Sequence, residues 1–173
     1  MARCDECGFD WESPSEELVA ELASFGNAYE ACLTRLLPGE DVSVLREKPS
    51  PTVWSALEYT AHMRDVVDFY AERINRVLNE EMAQLTARGF AALAEERSYN
   101  LEDPAVVLNQ LALACTSTAA LLSSLTAHQW ERAGVGSDGG ERTVVLLARR
   151  LVHDGHHHLL DVGRVLRTAR TRN

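Results

Sequence analysis

Apolar residues recur three or four positions apart along four long segments of the chain. This spacing puts them on one face of a helix, whereas no segment alternates apolar and polar residues as a half-buried strand would. The pattern predicts helices at about 14–37, 51–78, 104–125 and 143–170. Four amphipathic helices without a strand signal predict an all-α protein, a four-helix bundle.

Proline pairs mark where three of these helices are expected to begin. A serine or aspartate cap followed by a first-turn proline is typical of a helix start. The pairs are Ser13-Pro14, Ser50-Pro51 and Asp103-Pro104. The less regular region 79–102 is expected to hold at most a short helix, and "GVGSDGG" (134–140) is expected to be a flexible connection.

Length and composition indicate one soluble globular domain. The 173 residues are 46% hydrophobic and 25% charged, enough for a single core. We assign residues 13–173 to the bundle and residues 1–12 to a short appendage outside it. Dimerisation is compatible with this size, but no sequence feature decides it.

The charge balance excludes some partners. A net charge of −9 disfavours non-specific binding to nucleic acids, because phosphates would be repelled. No apolar run is long enough to span a membrane and no secretory signal opens the chain, so a cytoplasmic location is expected. The 17 basic residues include one lysine, Lys48, a bias typical of GC-rich genomes such as those of actinobacteria.

Four of the six histidines lie within "HDGHHH" (153–158). His153 and His157 are one helical turn apart and can reach one metal ion, whereas His156 and His158 point elsewhere. His62, beside the apolar stripe of the second helix, is the preferred third ligand. A satisfied core histidine and a loose histidine-rich patch are the alternatives.

The N-terminal "CDECG" carries the spacing of half a zinc knuckle. A second Cys-x-x-Cys pair is absent from the sequence, so an accessory or structural role is expected for Cys4 and Cys7. The pattern leaves open whether they add ligands near the histidines. Cys115 lies on the apolar stripe of the third helix and Cys32 adjoins Leu33 on the first, and both are expected to be core residues.

Two motifs together resemble the DinB superfamily. "VWSALEYTAHMRDVVDFYAERI" contains W-S-x-x-E-x-x-x-H, and "LVHDGHHHLLDVGRVL", about ninety residues later, contains H-x-x-x-H. The resemblance covers roughly residues 14–168. It implies an up-down-down-up bundle with a divalent metal bound by His62, His153 and His157.

The resemblance also implies a chemistry. The family includes transferases that use bacillithiol or mycothiol and a mycothiol-dependent maleylpyruvate isomerase. A metal-bound thiolate would attack a small electrophile, with mycothiol as the thiol cosubstrate and zinc, or else nickel, as the metal. A non-catalytic metal- or ligand-binding protein, a thiol-dependent isomerase and a helical interaction module are the alternatives.

Neighbouring polar residues are candidates for supporting roles. Asp161, one turn after His157, could hold an imidazole N–H, and Arg149, one turn before His153, could bind a carboxylate. Asp65 and Glu58 flank His62 by one turn, although a surface salt bridge is the preferred interpretation of Asp65, with an arginine as its partner, and of Arg149. Trp54 is expected to be a packing residue.

Overall fold

The computed structural model describes residues 3–172. Its α-helices and strands, in chain order, are α1 (Ser15–Thr34), α2 (Ala56–Asn79), β1 (Gln84–Leu85), α3 (Phe90–Glu96), α4 (Pro104–Ser123), α5 (Ala127–Trp130), β2 (Ala133–Gly136), β3 (Glu141–Thr143) and α6 (Val144–Arg170). Short 3-10 turns precede α2 and α4. The predicted four-helix bundle is confirmed, with α1, α2, α4 and α6 as its members.

The connections fix the direction of each long helix. β1 follows α2, and β2 follows α4 and α5. Because β1 and β2 pair in parallel, α2 and α4 end at the same end of the bundle. β3 leads directly into α6, which therefore starts where α4 ends. Arg149, near the start of α6, bonds Ser13, just before α1, and Arg170, at the end of α6, bonds Arg35, just after α1. The helices α1 and α6 are therefore parallel. The order is up-down-down-up.

Side-chain caps set the starts of α2 and α4, whereas α1 begins at Ser15 with Pro14 at its N-cap and without the side-chain cap expected from Ser13. Asp103 accepts hydrogen bonds from Ala105 N and Val106 N at the start of α4, as expected. The start of α2 lies five residues later than expected, at Ala56. Ser55 and Glu58 form a reciprocal capping box there, which satisfies two free backbone N–H groups. The helix therefore begins at this box and not at the Ser50-Pro51 pair.

A small sheet was not expected. β1, β2 and β3 pair in that order, and β2–β3 is a hairpin that contains the glycine-rich stretch predicted to be flexible. Gly134 is required because a Cβ there would lie 2.7 Å from Ala83 O on the neighbouring segment. Strands of two to four residues are too short to give a period in the sequence.

The core fills the space between the four long helices and extends to the N-terminal segment. Phe9 is 4% exposed and belongs to this core, and Trp11 packs against it. Residues 4–12 therefore lie on the bundle instead of standing apart from it. Within residues 3–172, α4 alone is long and apolar enough to cross a membrane, and it packs against α1 and α2.

Candidate functional site

The four neighbouring histidines of α6 diverge around the helix. His156 bonds Glu21 on α1 (2.8 Å). His158 faces α2, where its ring lies 4.7 Å from that of His62. His153 and His157 share a third face, with rings 4.5 Å apart. The four histidines of this short tract therefore lie in three different environments.

The first cluster, here called the knuckle cluster, consists of Cys4, Cys7, His153 and His157. Its four ligand atoms all lie within 4.8 Å of one another, and Cys4 Sγ is 3.2 Å from His157 Nε2. Glu6 Oε2 lies 3.5 Å from His157 Nδ1, and such a carboxylate orients the other ring nitrogen toward the sulfur. Two thiols and two imidazoles are donors that suit zinc.

The two cysteines of this cluster differ in acidity. The backbone N–H of Cys7, followed by the side chain of His153, stabilises the Cys4 thiolate and lowers the pKa of Cys4 to about 5. Burial has the opposite effect on Cys7 and raises the pKa of its thiol. Cys4 is therefore ionised near neutral pH without any metal, the form in which it binds one.

The second cluster, here called the α2–α6 cluster, is the His62–His158 ring pair, with Asp154 one helical turn before His158 and its Oδ1 3.7 Å from His153 Nδ1. His62 is 6% exposed, and aromatic rings enclose it: Trp54 at 4.9 Å and Phe90 at 4.8 Å. Burial, helped by His158, lowers the pKa of His62 to about 3, so the ring is neutral. Its buried Nδ1 has no hydrogen-bond partner among the described residues.

Two aspartates of α6 complete the surroundings of His158. Asp161 Oδ2 lies 3.3 Å from His158 Nδ1, and this contact is the main reason why the pKa of Asp161 is lowered. Asp154, one turn before His158, accepts a hydrogen bond from Tyr70 (3.3 Å), and burial raises the pKa of its carboxyl group. A carboxylate at Nδ1 of a histidine directs Nε2 toward a metal ion, so this contact orients the ring of His158 for binding through Nε2.

The structure thus divides the expected ligands between two clusters. His153 and His157 lie together as expected, but with Cys4 and Cys7, whereas His62 lies beside His158. Two pairs on α6 have the one-turn spacing, 153/157 and 154/158, and the packing of α6 on α2 is what places His158 beside His62. Asp154 was missed because a search for histidine pairs passes over an aspartate.

The other candidate residues have structural contacts. Asp65 bonds Arg64 (2.9 Å) and Arg97 (2.8 Å), which confirms its salt bridge, and it also accepts a bond from Tyr99. Arg149 donates to the Ser13 carbonyl (3.2 Å). Glu58 caps α2 and pairs with Lys48 (3.1 Å), while Trp54 packs on His62.

Two cavities border α2. One of about 730 Å³ is lined by the Arg64, Asp65 and Glu102 network and contains no histidine in its lining. The other, of about 560 Å³, includes Trp54 and Glu58 in its wall and so lies next to the α2–α6 cluster. His62, Asp154 and His158 are absent from the lining of this smaller cavity as well, and Trp54, which packs on His62, is its contact with the cluster.

Comparison with solved structures places this fold among known bundles. YfiT from Bacillus subtilis, described as a probable metal-dependent hydrolase with an unusual four-helix bundle topology, is 20% identical, with a TM-score of 0.80 over 90% of each chain. A mycothiol-dependent maleylpyruvate isomerase is 13% identical, with a TM-score of 0.69 over 88% of this chain and 62% of the isomerase. These likenesses concern the fold.

Sequence comparison identifies the family. No curated protein matches the chain at a significant level. The sequence model of the DinB superfamily matches residues 27–162, most of the bundle, including α2 and the histidines of α6. The chain belongs to the DinB superfamily.

Proposed function

We propose that the protein is a metal-dependent enzyme that joins a low-molecular-weight thiol to a small electrophile, with its reacting centre at the α2–α6 cluster. The observation that carries the proposal is His62. A ring that is 6% exposed and leaves its Nδ1 unpartnered costs free energy unless another group occupies that nitrogen.

The donor types of the cluster suit a divalent ion. His62, a neutral imidazole, faces His158 across the contact of α2 with α6, and Asp154 offers a carboxylate from the turn before His158. Three protein ligands leave a position free, as in catalytic zinc sites. An ion there would act as a Lewis acid and keep a thiol ionised near neutral pH. This ligand set replaces the expected one by exchanging His153 and His157 for Asp154 and His158.

Surrounding residues prepare this centre. Asp161 holds His158 Nδ1–H and thereby fixes which ring nitrogen faces His62. Tyr70 restrains Asp154 by its hydroxyl hydrogen bond. Trp54 and Phe90 exclude water from His62. These contacts hold the donors in place before any substrate binds, which is what a catalytic site needs.

The reaction itself balances simply. The thiol gives its proton to solvent, its sulfur forms a bond to an electrophilic carbon, and the leaving group departs from that carbon with the bonding electron pair. Mycothiol is the thiol we propose, on the strength of the composition bias and of the isomerase with a similar fold. A thiol-dependent isomerase, in which the sulfur adds and later leaves, would use the same centre.

Thiol conjugation tests the proposal. The protein is supplied with zinc or nickel, mycothiol and chlorodinitrobenzene, and the rate of adduct formation is measured. We expect a metal-dependent rate that falls by more than about a hundredfold in His158→Ala and is unchanged in His128→Ala, an exposed histidine of α5. Equal rates in His158→Ala and the parent would refute the site. A protein that holds metal but conjugates no electrophile would favour the non-catalytic binding function.

A further inference from the structure

We propose that the knuckle cluster is a second, separate metal site: a closed zinc site in which Cys4, Cys7, His153 and His157 fasten the N-terminal segment to α6. It is independent of the reaction proposed for His62 and His158. Its ligands come from the two ends of the chain, so no local sequence motif contains all four.

Spacing and geometry agree with zinc. The pairs Cys-x-x-Cys and His-x-x-x-His have the spacings of Cys₂His₂ structural sites. Zinc bonds of about 2.3 Å to sulfur and 2.0 Å to nitrogen give ligand–ligand separations of about 3.3–3.8 Å in a tetrahedron. The four atoms already lie within 4.8 Å of one another, so shifts of about 1 Å complete the site.

The backbone of the N-terminal segment is shaped for the task. Cys4 and Phe9 close a tight turn, in which Cys4 N donates to Phe9 O (2.8 Å) and Gly8 N donates to Cys4 O (2.9 Å). Gly8 has φ +75°, a value that glycine adopts without strain. This turn directs both sulfurs toward α6.

Charge and coordination number indicate a closed site. Two thiolates balance the charge of a divalent ion, and two imidazoles fill the remaining tetrahedral positions. No position is left for substrate, in contrast to the three-donor α2–α6 cluster. The role is therefore to hold the segment, whose Phe9 and Trp11 rings pack 5.6 Å and 4.5 Å from His153.

A redox pair is the competing interpretation of Cys4 and Cys7. A dithiol alone would not require two imidazoles of α6 to converge on the same point, and Cys4 Sγ lies 3.2 Å from one of them. The convergence favours metal binding over disulfide chemistry.

Cobalt substitution separates these interpretations. The full-length protein is purified, stripped of metal and titrated with Co²⁺, and the thiolate-to-cobalt charge-transfer absorption is recorded. We expect one thiolate-bound cobalt per chain, absent from Cys4→Ser/Cys7→Ser and retained in Cys32→Ser and in His62→Ala/His158→Ala. The zinc affinity of the knuckle cluster should fall by more than about a thousandfold in the double serine variant.

Hydrogen exchange supplies a second measurement. Zinc should slow exchange of the Cys4 and Gly8 amides in the parent and leave it unchanged in the double serine variant. If that variant loses helical circular dichroism, Cys4→Ser alone gives the same comparison. Charge-transfer absorption that survives without Cys4 and Cys7, or a parent that binds no cobalt through sulfur and forms a Cys4–Cys7 disulfide, would overturn the inference. Loss of thiol conjugation in His158→Ala leaves this inference standing, because the cobalt bound by thiolates is measured separately from conjugation.

Discussion

Gly155 lies on α6 between the ligand positions, where α1 packs most closely. A Cβ there would be 2.3 Å from Cε2 and 2.6 Å from Cζ of Phe25, and that ring is 2% exposed and has no room to move. Tyr29, one turn further along α1, donates to the Gly155 carbonyl (2.9 Å). Gly155→Ala should therefore push α1 away from α6.

The size of the effect follows from two opposing contributions. Alanine in place of glycine stabilises a helix interior by about 1 kcal/mol. Overpacking costs about 1–3 kcal/mol, and three ring carbons within 3 Å put this case at the upper end. The net loss should be about 2 kcal/mol in the free energy of unfolding, or about 4–8 °C in Tm for a chain of this length.

Urea denaturation followed by circular dichroism measures this loss, and the chain supplies a matched control. Gly163 is on the same helix, and a Cβ there meets nothing within 4 Å. Gly163→Ala should stabilise by about 1 kcal/mol. Adding Phe25→Leu to Gly155→Ala should recover part of the loss, because the shorter side chain makes room. If both alanine variants were equally stable, the close contact of α1 with α6 would be refuted.

Three further outcomes are expected. In metal-free protein, alkylation of Cys4 by iodoacetamide should be fast above about pH 6. Its rate should fall about tenfold per pH unit below the Cys4 pKa of about 5, because protonation removes the thiolate, and a midpoint near pH 9 would contradict this. Cys115, which is buried and has a pKa of about 12, should stay unmodified. Asp65→Asn should lower the free energy of unfolding by about 3 kcal/mol in urea titrations, since it removes the buried carboxylate that Arg64, Arg97 and Tyr99 share and leaves Arg64 to pair with Glu102, and a loss below about 1 kcal/mol would argue against the network. Ser55→Ala should cost about 1 kcal/mol by removing the cap of α2, and an unchanged midpoint would count against that capping box.

The bundle could be predicted from the sequence because its four long helices carry strong apolar stripes. α4 begins at its Asp103-Pro104 signal, and α6 spans 144–170, both as expected. The start of α2 and the small sheet could not be predicted. A capping box competes with a nearby serine-proline pair there, and strands of two to four residues owe their pairing to distant segments.

The sequence could indicate which residue types form the candidate site, but not which of these residues lie together. Histidine spacing correctly indicated that His153 and His157 share a face, but spacing does not say what that face meets. Cys4 and Cys7 meet it because the N-terminal segment folds back along α6, with Phe9 in the core. His62 meets His158 because of the rotation of α6 against α2, which a one-dimensional pattern does not contain.

We expect this chain to hold two distinct metal positions, one of them a reacting centre at His62. Anomalous diffraction from zinc-loaded crystals tests it most directly. We expect two peaks: one among Cys4, Cys7, His153 and His157, and one in contact with His62 and His158. A single peak bound jointly by His62, His153 and His157, or the absence of any peak beside His62, would contradict it.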